Sequence, residues 1–224
     1  MKIIAFSDIH GQRSKELTSW FKNNPADLLL FAGDLQANQT TDYGIEFIEW
    51  LHKLPYTDKI MVFGNHDGHY MDVINHLINK KYNDIRILID GAIKIKGIKI
   101  FGSPHSVEFG SWWFMKKDDE LEELWKKIPD DTDILITHGP PFGILDNTIN
   151  NTITGSKTLL KRINELKNLR YHIFGHIHES YGRVNINGIT FMNVSLLNEK
   201  YQLVNDPMII EYEYEIEENY NIGE

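Results

Sequence analysis

The sequence predicts an α/β fold in which two sheets pack together with helices outside, as a single domain over 1–224. Three observations carry this. Apolar runs of strand length alternate with amphipathic helical segments. The early runs are apolar on both faces, as in a sheet covered on both sides. Strand after strand ends in glycine beside a polar residue, and α/β sheets bind ligands beyond the carboxyl ends of their strands.

Residues 2–7 (KIIAFS) form the first strand, and 14–23 a helix with Leu17, Trp20 and Phe21 at helical spacing. Residues 26–32, containing LLLFA, are the second strand. Residues 42–53 are an amphipathic helix carrying Ile45, Phe47, Ile48, Trp50 and Leu51, and 59–63 (KIMVF) are the third strand. Residues 85–89, 92–95 and 98–101 are short strands, the last two joined by the hairpin signal Lys96-Gly97. Residues 118–127 are a helix with acids first and lysines last, which suits the helix dipole. Strands at 133–137 and 172–174 flank a helix near 156–167, and 182–194 is a hairpin turning at Asn187-Gly188. Residues 211–217 alternate strictly and read as a half-exposed strand.

The bulk numbers narrow the function. The chain has 224 residues, 42% hydrophobic and 25% charged, an ordinary globular composition. With no cysteine, thiolate metal sites, thiol nucleophiles and disulfides are excluded, and a reducing compartment fits. The apolar runs fall far short of the about 20 residues of a membrane helix, and no secretory signal is evident at Met1. The expectation is a cytoplasmic protein that does not enter membranes. A net charge of −9, with no lysine-arginine stripe, argues against tight binding of duplex nucleic acid.

The chemistry sits where the strands end. The strand ends read Asp8-Ile9-His10-Gly11, Gly33-Asp34, Gly64-Asn65-His66-Asp67, Thr137-His138-Gly139 and Gly175-His176-Ile177-His178. In the last, two imidazoles stand two residues apart, which in extended chain turns them to the same side. Asp8, His10, Asp34, Asn65, His138, His176 and His178 offer two carboxylates, one amide oxygen and four imidazoles. One ion cannot use seven protein ligands and leave room for substrate; two ions can, if one carboxylate bridges them. Nitrogen and oxygen ligands without sulfur suit manganese best, with iron, zinc, nickel and cobalt as alternatives, and suit magnesium or calcium poorly.

The series DIH, GD, GNHD, THG and GHIH, in this order from residue 8 to residue 178, resembles the calcineurin-like metallophosphoesterase superfamily. The resemblance implies a four-layer α/β/β/α sandwich of two mixed sheets flanked by helices, with a dinuclear site at the strand C-terminal ends. It implies that Asp8, His10 and His178 hold one ion and Asn65, His138 and His176 the other, with Asp34 bridging. The segments 109–115 (FGSWWFM), 132–141 (TDILITHGPP) and 175–182 (GHIHESYG) look like the metallophosphoesterase-domain-containing branch, which includes phosphodiesterases acting on cyclic nucleotides. Some members of that branch replace the first histidine of the GHxH motif with glycine and become sluggish. This chain keeps His176, and it departs from the branch at His105, where the pattern has tryptophan.

The expected activity is therefore hydrolysis of a small phosphodiester, a nucleotide by preference, by a hydroxide held between two divalent ions. A phosphomonoesterase or phosphoprotein phosphatase is the alternative, and a non-catalytic metal-binding scaffold ranks below both. The resemblance places His66 toward the phosphate or the leaving oxygen, where it could donate a proton, with Asp67 orienting its ring. His105 could line the substrate pocket. Trp112 could stack a nucleobase, or Trp112-Trp113-Phe114 could be core beneath a loop. His52 reads as a solvated helix residue, His69 and His76 as part of a polar segment, and His172 as a strand residue.

Overall fold

The computed structural model describes residues 1–36 and 41–213. In chain order, β1 (Lys2–Phe6), α1 (Lys15–Asn23), β2 (Leu28–Ala32), α2 (Thr41–Lys53), β3 (Asp58–Val62), α3 (Met71–Lys81) and β4 (Ile85–Ile87) come first. Then follow β5 (Gly91–Ile95), β6 (Ile98–Ser103), the short β7 (Ser106–Val107) and β8 (Met115–Lys116), α4 (Asp118–Trp125) and β9 (Ile134–Thr137). The last are α5 (Lys157–Ile163), β10 (Tyr171–Phe174), β11 (Gly182–Ile186), β12 (Ile189–Asn193) and β13 (Met208–Glu211).

Side-chain parity along the strands builds the layers. One sheet runs β13-β1-β2-β3-β4, parallel except for β13; the other runs β11-β12-β10-β9-β6-β5, parallel except for β11 and β5 at its edges. Ile3 and Ala5, Leu28 and Leu30, and Ile60 and Val62 point one way, onto Ile98 and Ile100, Ile134 and Ile136, and Ile173 of the second sheet. The intervening Ile4, Phe6, Leu29, Phe31 and Met61 point outward, where Leu17, Phe21, Phe47, Leu51, Ile74 and Ile78 of α1, α2 and α3 cover them. On the far side Phe101, Leu135 and Phe174 are covered by Leu121, Trp125, Leu159 and Ile163 of α4 and α5. Strands buried on both faces thus give four layers, α/β/β/α. Both hairpins turn where expected: Lys96-Gly97 (φ 49° and 88°) and Asn187-Gly188 (φ 52° and 85°) hold the positive φ pair that two-residue hairpins need.

Two readings change. The segment from Met71 is the helix α3, with Ile74 and Ile78 buried on its inner face and His76 exposed. The aromatic run divides: Phe114 stacks on Phe63 at 6.2 Å and joins the core, while Trp112 and Trp113 stay 40% and 45% exposed. His52 is exposed on α2, as expected, and its Nδ1 also lies 2.8 Å from the Asp84 carboxylate. The strand expected over 211–217 is described only to residue 213, where β13 ends at Glu211; positions 214–217 lie outside the described residues.

Candidate metal centre

All five polar motifs meet at the carboxyl ends of β1, β2, β3, β9 and β10, across the seam between the sheets. Asp8, His10 and His178 bring ligand atoms within 4.8 Å of one another, as do Asp34, His138 and His176, and as do His10, Asp34 and His66. Asp34 is the hub. Its Oδ2 faces the Nε2 atoms of His138 at 3.4 Å, His10 at 3.6 Å and His66 at 3.9 Å, while its Oδ1 accepts the His66 backbone N–H at 3.0 Å. Asn65 Oδ1 lies 2.9 Å from His138 Nε2.

The backbone that presents these groups is strained. Asp8 (φ 51°), His10 (41°), Asp34 (58°) and His176 (71°) all adopt the left-handed conformation that costs non-glycine residues of order 1–3 kcal/mol each. Buried hydrogen bonds hold it: Asp8 N–H donates to Gly33 C=O at 2.9 Å and His10 N–H to Asp34 C=O at 3.2 Å. Asp67, fully buried, accepts the N–H groups of Gly64 (2.7 Å), Asp34 (2.9 Å) and Leu35 (3.1 Å). Its carboxylate thereby ties the GNHD loop to the loop that carries Asp34. Gly64 and Gly175 let these loops close: a Cβ on Gly64 would collide with the Asp34 carboxylate, and one on Gly175 with that of Asp8.

The donor chemistry fits divalent cations. His138 Nδ1–H donates to Ala32 C=O at 2.9 Å and His178 Nδ1–H to Asn198 C=O at 3.1 Å, which leaves both Nε2 lone pairs facing inward. His178 Nε2 then stands 3.3 Å from His10 Nε2 and 3.5 Å from Asp8 Oδ1. Imidazole nitrogens and carboxylate oxygens converge there, and a bound cation would replace the proton that the cluster otherwise holds. The rings differ in that respect. Burial pushes the His10 ring down to about 4, against the pull of Asp34 and Asp8, so it is a neutral ligand. For His138 burial also pushes down, but the Asp34 charge and hydrogen bond outweigh it and raise the ring to about 9. Burial alone would raise Asp34, yet His138 and His10 hold it well below the usual carboxylate range.

This constellation on this fold agrees with the comparisons. The model of the calcineurin-like phosphoesterase family matches residues 1–180. The chain belongs to the calcineurin-like phosphoesterase family. It is 32% identical to human metallophosphoesterase domain-containing protein 1 over 94% of this chain and 70% of that protein. A UPF0046 protein of Caenorhabditis elegans is 31% identical over 93% of this chain and 74% of its own. The protein TT1561 of Thermus thermophilus shares the fold at TM-score 0.63 and 14% identity, covering 86% of this chain and 88% of its own. A dimetal phosphatase from Danio rerio does so at TM-score 0.56 and 10% identity, covering 86% of each chain.

In this calcineurin-like phosphoesterase His66 sits at the rim of the centre, its ring 4.8 Å from that of His10 and 4.4 Å from the Trp112 indole. His105 is buried, with Nδ1 3.0 Å from Phe114 C=O in the loop that carries Trp112 and Nε2 3.3 Å from Asp90, just before β5. His172 lies in the far core, its Nε2–H on the Thr137 hydroxyl at 2.8 Å; burial pushes it down to about 3, a neutral structural group.

Sequence reasoning missed Ser195, whose hydroxyl donates to Asp8 Oδ2 at 2.8 Å beside that of Ser7. It also missed Tyr201, whose ring stands 4.9 Å from His10 and 5.1 Å from His178. Both follow β12 without a motif; only the pairing of Ser7 with Ser195 in space makes them legible. Among the described residues no helix is long and apolar enough to cross a membrane.

Proposed function

We propose that the protein is a dinuclear metal-dependent phosphodiesterase acting on small diesters, cyclic nucleotides among them. Family membership makes it a phosphoesterase; the preference for diesters rests on one observation. A cleft of about 820 Å3 opens beside His176. A phosphodiester carries two organic substituents, and a cleft in the 300–1,000 Å3 range has room for one of them. A monoester dianion calls instead for cationic clamps, and Lys157 is the one lysine or arginine lining this cleft among the described residues.

Asp8, His10 and His178 would hold one ion and Asn65, His138 and His176 the other, with Asp34 shared; the mixed nitrogen and oxygen set favours manganese. Two such ions supply Lewis-acid stabilisation of phosphoryl oxygens and water acidic enough to act as nucleophile near neutral pH. The chain's own residues do the rest. Asp67 and the buried backbone bonds fix the ligands before substrate arrives. His66, 15% exposed in its side chain and 3.9 Å from Asp34, would carry the proton that the leaving oxygen takes; its position at the rim supports this role. One domain over 1–224 performs this, its site built from both sheets.

The test is hydrolysis of a diester and a monoester model phosphate side by side, by metal-stripped protein reloaded with manganese. Diester turnover that needs both manganese and His66 is expected. Monoester turnover alone would move the protein to the phosphatases.

A further inference from the structure

Three features of the cleft beside His176 belong together. Its apolar wall is formed by Phe109, Phe142, Ile149 and Ile153, of which Phe109 and Ile149 are each 67% exposed and Ile153 47%. The Phe109 ring stands 5.5 Å from that of His176, so the wall begins at the metal centre itself. Its charged lining is unbalanced: Glu108, Asp118 and Glu179 face a single lysine, Lys157, among the described residues. That lysine is turned onto the wall, its ammonium 5.0 Å over the Phe142 ring.

Two of these acids, Glu179 and Asp118, are held in place by hydrogen bonds. Glu179 accepts the Ile149 N–H at 2.7 Å and so pins the loop that supplies the outer wall. Asp118 accepts the N–H groups of Lys157 and Thr158 at 3.2 Å each, closing the inner end of the cleft onto α5. Both carboxylates are held by uncharged backbone donors rather than by a cation in these contacts.

We infer that this cleft is a charge-selective subsite, taking a neutral or cationic ester substituent with a flat apolar body and rejecting substituents that carry further phosphate or carboxylate groups. Apolar walls reward aromatic area, and the surplus of carboxylates penalises like charge. The inference rests on the phosphodiesterase reading and narrows its substrates. Nucleosides with an uncharged base qualify; nucleoside polyphosphates and acidic phosphopeptides do not.

The experiment uses the whole manganese-loaded protein and three diesters, p-nitrophenyl phosphate esterified with phenyl, para-carboxyphenyl or para-trimethylammoniophenyl. The corresponding arylphosphonic acids, which carry no ester bond to hydrolyse, are titrated by calorimetry in parallel. The carboxylate should lower both kcat/KM and phosphonate affinity at least about tenfold against phenyl, and the trimethylammonium group should lower neither. Glu108→Gln should raise kcat/KM for the carboxylate about threefold relative to that for phenyl. Equal values for all three esters, or a Glu108→Gln effect independent of substrate charge, would overturn the subsite. Turnover without discrimination defeats the subsite alone. Discrimination among the phosphonates with no hydrolysis of any ester keeps the subsite and defeats the phosphodiesterase reading.

Discussion

The indole of Trp112 lies over the imidazole of His66, ring centroids 4.4 Å apart and planes tilted by 37°. The contact is not an accident of a loose loop. Trp113 N–H donates to Asn65 C=O at 3.3 Å, so the 109–114 loop is bonded to the backbone that carries His66. Trp113 also packs against Gly68, where a Cβ would collide with its indole. The structure therefore gives Trp112 a partner on the protein side.

Trp112→Ala should lower kcat about tenfold with metal content and KM little changed, because a loosened His66 misplaces the proton donor. Trp112→Phe should restore most of the rate. A rise in KM at constant kcat would instead make Trp112 a contact for substrate.

Ser195→Ala removes one of the donors to the Asp8 carboxylate. Groups that hold ligands from behind typically matter by about 10–100-fold in metal affinity. The variant should fold and should bind its weaker ion about tenfold less tightly in a chelator competition, with the stronger ion unaffected.

Gly175→Ala places a methyl group against Asp8 and Ser7. Overpacking of this kind costs about 1–3 kcal/mol. Thermal unfolding of the metal-free variant should fall by several degrees, and metal should stabilise it less than it stabilises the wild type.

Lys59, a residue of β3, is buried at 2% exposure, its ammonium 2.6 Å from Asp84 and 2.7 Å from Tyr56 C=O. Burial pushes Asp84 up, but Lys59 and His52 outweigh it and its carboxyl is held below the usual value of 3.8. A lowered folded value gives stability that is present above the unfolded value and lost as pH falls through the folded one. Asp84→Asn should cost about 1–2 kcal/mol at pH 7, less than breaking a fully buried pair because the Asp84 carboxylate is 18% exposed. The gap to wild type should close as pH drops below about 4, as followed by denaturant unfolding at each pH. A gap that stays constant down to about pH 2 would contradict this origin.

How much of this was legible beforehand follows from what each residue answers to. The core strands were legible because burial on both faces leaves a continuous apolar run such as Leu28-Leu29-Leu30-Phe31. The hairpins were legible because Lys96-Gly97 and Asn187-Gly188 supply positive φ. The helix α3 was hidden by its polar residues, although Ile74 and Ile78 keep helical spacing. At the site, the motifs gave the seven candidate ligands, and the structure brings their side chains together. Asp67 does more than its adjacency to His66 suggests, because its carboxylate reaches across to the Asp34 loop. His105 and Trp112 show the same limit: what a loop residue touches depends on which loop folds over it.

If Asp34 joins two ions in one centre, metal stoichiometry reads it out. Wild-type protein, stripped and reloaded with manganese, should hold two ions per chain by elemental analysis, and Asp34→Ala should hold well under one. One ion in the wild type, or two retained without Asp34, would contradict it.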